Sequence, residues 1–165
     1  MRFHNSSIAN QYSFNDVITM NESNKSMLNE LIKLRNRCLD PSNYYKHLKN
    51  WLTKFTRKQL ISIDGDELRN QPFETMFKLQ KMMNVNRTLD YKRILKYDKK
   101  KKFFCIYNKK CLGSSKGRSY PKLNDTFIID YLNEYFNKSN ILFYNLLKSH
   151  SFEVPKWLKK FIAKK

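Results

Sequence analysis

Five residues, Gln59-Leu60-Ile61-Ser62-Ile63, constrain the fold more than any other part of this chain. The run is short, apolar and rich in isoleucine, and Asp64-Gly65 stops it, which is the profile of a buried strand. Segments of helical period flank it on both sides. Met27, Leu28, Leu31, Ile32 and Leu34 predict a helix over residues 27–37. Pro41-Ser42 starts a second, running to about residue 55, with Tyr45, Leu48, Trp51, Leu52 and Phe55 on one stripe. Beyond the strand, Phe73, Met76, Phe77, Leu79 and Met83 predict a helix over residues 72–83. Helix, strand, helix is the order of the α/β class, a parallel sheet flanked by helices. A parallel strand cannot pair with itself, and no second run reads as convincingly. The other strands of that sheet are therefore expected from residues outside these 165.

Further helices are expected over residues 126–136, 140–147 and 154–163, the last short, basic and amphipathic. Residues 1–24 read as a polar loop apart from a cluster of Tyr12, Phe14, Val17 and Ile18. A chain of 165 residues supports one domain with a real core. Its 12 Phe, 10 Tyr and 2 Trp argue against disorder throughout. No apolar run approaches the roughly 20 residues of a membrane helix, and the first ten residues lack the apolar stretch of a signal peptide.

The net charge of +19 points to a polyanionic partner or cofactor. A coding bias towards Lys and Asn accounts for part of the excess, but not for its local density. Residues 92–118 hold eleven basic side chains against the single acid Asp98. Six Asn-x-Ser/Thr sequons, at Asn5, Asn21, Asn24, Asn86, Asn124 and Asn137, give weak support to a secretory location in so Asn-rich a chain.

Within that basic region lies Phe103-Phe104-Cys105-Ile106-Tyr107-Asn108-Lys109-Lys110-Cys111-Leu112-Gly113-Ser114-Ser115-Lys116-Gly117-Arg118-Ser119-Tyr120-Pro121. Residues 103–107 and 110–112 are expected to form a hairpin. Its spacing brings Cys105 and Cys111 within reach of a disulfide but suits two free thiols as well. Cys38 is the odd cysteine, expected as a small buried hydrophobe. No Cys-x-x-Cys or His pair completes a zinc set, so no metal is expected. After the second cysteine, Gly117 permits close backbone approach to a ligand, and Lys116 and Arg118 supply donors suited to phosphate oxygens. Aromatics beside such a loop can stack on a base. On the loop alone, a clamp for a phosphorylated nucleoside and an ordinary basic surface turn fit equally well.

This segment resembles the cofactor-covering part of the heparan sulfate glucosaminyl N-deacetylase/N-sulfotransferases. The likeness continues through Tyr12-Ser13-Phe14-Asn15-Asp16-Val17-Ile18-Thr19, Leu34-Arg35-Asn36-Arg37-Cys38-Leu39, residues 45–51 and 59–68, Leu89-Asp90-Tyr91, and Pro155-Lys156-Trp157-Leu158. Lys-Gly-Arg loops also occur in the related heparan sulfate 3-O-sulfotransferases, but Tyr120 before Pro121 is similar to the N-sulfotransferases. The resemblance implies that residues 1–165 are the C-terminal part of a sulfotransferase domain, of P-loop-like α/β fold with a disulfide-closed β-hairpin through Cys105 and Cys111. It implies a donor, 3′-phosphoadenosine 5′-phosphosulfate, and an acceptor, the glucosamine amine of a heparan sulfate or heparin precursor. It also implies the Golgi lumen, in a parent that is a type II Golgi membrane protein and a glycoprotein.

Carried over residue by residue, the family's cofactor contacts fall on Phe104, Lys116, Gly117, Arg118, Ser119 and Tyr120. Lys116 and Arg118 would hold phosphate, Gly117 and Ser119 would offer backbone N–H groups, and Tyr120 would wall the site. Phe104 stands where the family has a tryptophan beside adenine, and Phe103 could share that role. His4 matches a histidine of an acceptor-site segment. The family's Lys-Thr-Gly-Thr-type phosphosulfate loop, its catalytic glutamate and its 3′-phosphate serine have no counterpart in these residues. The chain alone is therefore expected to be inactive. The competing readings are a basic nucleic-acid-binding module, which no RNA- or DNA-binding signature supports, and a non-catalytic heparin-binding protein.

Overall fold

The computed structural model describes residues 11–20, 28–86, 89–109, 111 and 123–163. These residues fall into two compact units. One comprises residues 1–57, 123–154 and 158–165, and the other residues 58–122 and 155–157.

The first unit is helical. Ser13 opens helix α1 (Phe14–Thr19) with a capping box: its hydroxyl accepts from Asp16 N–H, and the Asp16 carboxylate accepts from Ser13 N–H at 2.9 Å. This short helix lies within residues expected as loop. Helix α2 (Leu28–Leu39) matches the expected stripe and ends in a 3₁₀ turn, Asp40–Ser42. Asn43 then caps α3 (Tyr44–Leu52), accepting from Lys46 N–H. Residues 126–149 form one helix of 24 residues, α7 (Thr126–Ser149), where two were expected. The polar stretch between them carries no Gly or Pro, and Ser139 bonds back to the Phe136 carbonyl without breaking the helix.

Burial picks out the face each helix turns inward. Val17, Ile18, Leu34, Leu39, Ile128, Phe143, Leu147, Phe152, Val154 and Leu158 form the core of this unit, and Ile18, Ile128, Leu147 and Leu158 are fully enclosed. Helix α3 packs on α7 through Tyr44 and Phe143, whose rings lie 5.6 Å apart. The outer end of its stripe stays in solvent: Trp51 and Phe55 are exposed and stack on each other at 5.2 Å. Two arginines cross-link the unit. Arg35 donates to the Ile18 carbonyl and to the Tyr131 hydroxyl, each at 3.0 Å. Arg57 donates to the carbonyls of His150 (2.7 Å) and Ser151 (3.0 Å), with its guanidinium 3.8 Å over the Phe152 ring. Cys38 is half-buried and unbridged, and burial pushes its thiol above the ordinary range.

The second unit corrects the expected sheet. Residues 59–63 are not a strand: Arg57–Gln59 is a 3₁₀ turn, and residues 60–63 belong to no ladder among the described residues. A ladder needs a neighbour, and β propensity alone cannot supply one. Asp64-Gly65, expected as a stop, is a start. The Asp64 carboxylate accepts from Asp66 N–H at 2.9 Å and caps α4 (Gly65–Asn70). Helix α5 (Pro72–Met82) follows with Pro in its first turn, then one turn, α6 (Tyr91–Ile94), capped by Asp90. The sheet that does form is antiparallel and two-stranded, β1 (Leu95–Asp98) with β2 (Phe103–Ile106), in the register Leu95↔Ile106 to Asp98↔Phe103. The parallel sheet of the expected fold is thus absent from the described residues. The last element among the described residues is α8 (Lys156–Ala163), most of which belongs to the first unit.

Candidate cofactor-binding site

The hairpin joins residues 95–98 and the apolar, aromatic-rich run 103–106 across a turn of four lysines, residues 99–102. Asp98 organises that turn. Its carboxylate accepts from the N–H groups of Lys100 (2.9 Å) and Lys101 (3.0 Å), and its carbonyl accepts from Lys102 N–H at 2.8 Å. Lys102 takes the left-handed conformation, φ 57°, that closes it. The single acid of the basic region is therefore the residue that lets its lysines turn.

Residues 103–107 were expected to pair with residues 110–112. The ladder that is described joins them to the strand before them, β1, whereas residues 110 and 112 lie outside the described residues. Past β2, Lys109 N–H bonds back to the Ile106 carbonyl at 3.2 Å, and Asn108 sits at φ 58°. The chain doubles back there, and Cys111 reaches Cys105 with a Cα separation of 5.4 Å to form the disulfide. The bond fixes the start of the segment that carries Lys116 and Arg118 onto the end of β2. The Asp98 carboxylate lies beside both sulfurs, the three ligand atoms being within 4.8 Å of one another. Both sulfurs are spent in the bridge, so they are not thiolate ligands.

Phe104 faces away from the cysteines. Its ring meets Tyr97 of β1 edge-on at 5.2 Å and Phe73 of α5 at 5.3 Å. The residue stays half-buried, held at two sides and open on the rest. Phe103, its neighbour, is likewise half-buried on the opposite face. Lys96 lies across the Tyr107 ring at 5.7 Å. Phe77 meets Tyr91 edge-on at 5.4 Å, which fastens α5 to α6.

Of the residues singled out in the sequence, this unit brings together Phe104, Cys105 and Cys111. Lys116, Gly117, Arg118, Ser119 and Tyr120 lie outside the described residues, as does His4. Phe73 and Asp98 were missed. Asp98 had a readable signal, being a lone acid before four lysines, whereas Phe73 had none beyond its place on a helical stripe.

The sulfotransferase domain family matches residues 3–143 of the chain. Over 162 residues the chain is 41% identical to the bifunctional heparan sulfate N-deacetylase/N-sulfotransferase of Drosophila melanogaster. It is 38% identical to bifunctional heparan sulfate N-deacetylase/N-sulfotransferase 1 of Mus musculus, and 36% to that of Homo sapiens. Each alignment covers 96% of this chain, but only 15% of the fly protein and 18% of each mammalian one.

Proposed function

This chain belongs to the sulfotransferase domain family and, within it, to the heparan sulfate N-deacetylase/N-sulfotransferases, and on that footing we propose that it grips the adenosine and 3′-phosphate end of 3′-phosphoadenosine 5′-phosphosulfate. The reaction it serves is sulfate transfer to the amine of glucosamine units in a heparan sulfate or heparin precursor. The observation that carries this reading is 41% identity across 96% of the chain. The relatives named above are all N-sulfotransferases, which weighs against the 3-O-sulfotransferase, nucleic-acid and purely heparin-binding readings.

The described residues fit the purine end of such a donor. A ring pinned by Phe73 and Tyr97, yet partly open, can stack on a base with little loss of freedom, and Phe104 is that ring. In this reading Lys116 and Arg118 bind the 3′-phosphate, Gly117 and Ser119 add backbone N–H groups, and Tyr120 walls the adenosine. The disulfide anchors one end of that loop and so limits the entropy lost when it closes on phosphate. His4 stands on the acceptor side. The bound donor supplies the sulfuryl group and a phosphate leaving group. The residues of this chain contribute binding and orientation, and none of them is assigned as the base. The Golgi lumen is the compartment this reading requires, and a disulfide suits its oxidising conditions.

Titration with adenosine 3′,5′-bisphosphate tests the proposal. Arg118→Ala is expected to weaken binding by about 1.5–3 kcal/mol, the worth of a charge-assisted phosphate contact. Adenosine 5′-monophosphate should bind wild type about as weakly as the bisphosphate binds the variant. Equal bisphosphate affinity in wild type and variant would sink the assignment of the loop.

A further inference from the structure

We propose that Asn124 is an N-glycosylation site, taking an oligosaccharide from a lipid-linked donor, and that the sequon at Asn137 is passed over. Of the six sequons, only these two lie wholly within the described residues, and the fold treats them oppositely.

Transfer requires the Asn amide and the hydroxyl two residues on to be presented together, on chain that stands at the surface. Asn124-Asp125-Thr126 has that form. Asn124 is exposed and outside any helix or strand, and Thr126, the first residue of α7, is exposed too. Between them Asp125 is extended, at φ −74° and ψ 106°, and alternate residues of an extended stretch share a side. The Asp125 side chain is engaged elsewhere. One carboxylate oxygen accepts from Ile128 N–H at 3.3 Å, and the other from the Asn15 amide of α1 at 2.6 Å. The acid inside the sequon is thus held in the cap of α7, and the two groups a transferase reads are left outward.

Asn137-Lys138-Ser139 carries the same motif without that geometry. It lies inside α7, where residues two apart stand roughly 200° apart around the axis, at about 3.6 residues per turn. Asn137 and Ser139 are both half-buried, and the Ser139 hydroxyl donates to the Phe136 carbonyl at 3.1 Å. Helices form in about a microsecond, against synthesis at about 5–20 residues per second, so α7 competes for this segment from the outset.

In the transfer, the Asn124 amide nitrogen bonds to the anomeric carbon of the donor sugar and loses one proton to the transferase. The bond from that carbon to the lipid pyrophosphate breaks, and the pyrophosphate leaves with the electron pair. The luminal compartment is taken from the proposed function, whereas the choice of site rests on residues 124–126 and 137–139.

The test is expression of the whole chain behind a cleavable secretory leader in insect cells. Glycans are removed by an amidase in heavy-oxygen water, which turns each glycosylated Asn into a mass-marked Asp. Peptide mapping of secreted and microsomal protein should find Asn124 marked in most molecules and Asn137 in few. Asn124→Gln and Thr126→Ala should each lose the same single glycan, and deglycosylated Asn124→Gln should melt with deglycosylated wild type. An unmarked Asn124, equal marking at Asn137, or a glycan kept at Asn124 in Thr126→Ala would each overturn the proposal. Because the leader forces entry into the lumen, an unmarked Asn124 removes this site alone. The nucleotide reading stands or falls separately, on the bisphosphate titration.

Discussion

Arg57 shows how one side chain closes a unit. The last carbonyls of a helix have no partners within it, and those at the end of α7 face a chain reversal in which Ser151 sits at φ 54°. The guanidinium meets two of the carbonyls after that helix at 2.7 and 3.0 Å and covers the buried Phe152 ring. Arg57→Ala should lower unfolding stability by about 2–3 kcal/mol, from two charged hydrogen bonds and a cation–π contact. Arg57→Lys should recover only part, because one ammonium cannot span both carbonyls as a planar fork does. A urea midpoint unmoved by Arg57→Ala would show the contacts to be idle. Nothing in the sequence singles this arginine out among 33 basic residues, because its partners lie more than ninety residues away. The burial of Gln80 on α5 was equally illegible. A glutamine on a helical stripe looks like a solvated position until its burial is known.

Elements were legible where period alone decides them. The stripes of α2, α5 and α8 mark out helices near their observed ends, because amphipathic burial needs no distant partner to define its face. Strands were less legible, since a ladder depends on a neighbour. Residues 59–63 have strand composition but join no ladder among the described residues, whereas Leu95–Asp98 hides its pairing among lysines. The disulfide was read from resemblance, and its pairing stands, but it closes the turn after β2 and not the ladder. Mass spectrometry should find Cys105 linked to Cys111 and Cys38 in no disulfide. Reduction should cost about 2–3 kcal/mol by loop-closure entropy. A bridge from Cys38 to either partner contradicts this. At the other end of the chain, α1 hangs on its capping box. Hydrogen bonds from the Ser13 side chain and backbone hold the Asp16 carboxyl below its ordinary 3.8. The folded value is the lower one, so the box is at full strength above the unfolded value and is lost as pH falls through the folded one. An Asp16 carboxyl titrating at the ordinary value in a pH series would mean that the box does not form.

At the scale of the whole molecule the two units are unequally filled. Among the described residues, ten of the eleven buried hydrophobic side chains lie in the helical unit, and only Tyr91 lies in the other. The unit that carries Phe104 and the disulfide is thus built from aromatic edges and caps. Without a phosphosulfate loop or an assigned base in its 165 residues, the chain should show no turnover with labelled donor and N-desulfated heparin. It should still bind heparin, with affinity falling steeply as salt rises. Measurable turnover would mean that unrecognised residues supply the base.

Residues 60–63 have a consequence for how such a protein behaves in a tube. Ile61 and Ile63 are 37% and 38% exposed on a stretch outside any ladder among the described residues, an apolar surface that another molecule can meet. What keeps two molecules apart is their shared charge of +19. At 0.1 M salt that repulsion reaches only about 10 Å. The salt commonly used to strip polyanions from a basic protein therefore also removes its colloidal protection, so a cleaner preparation is the more readily aggregated one.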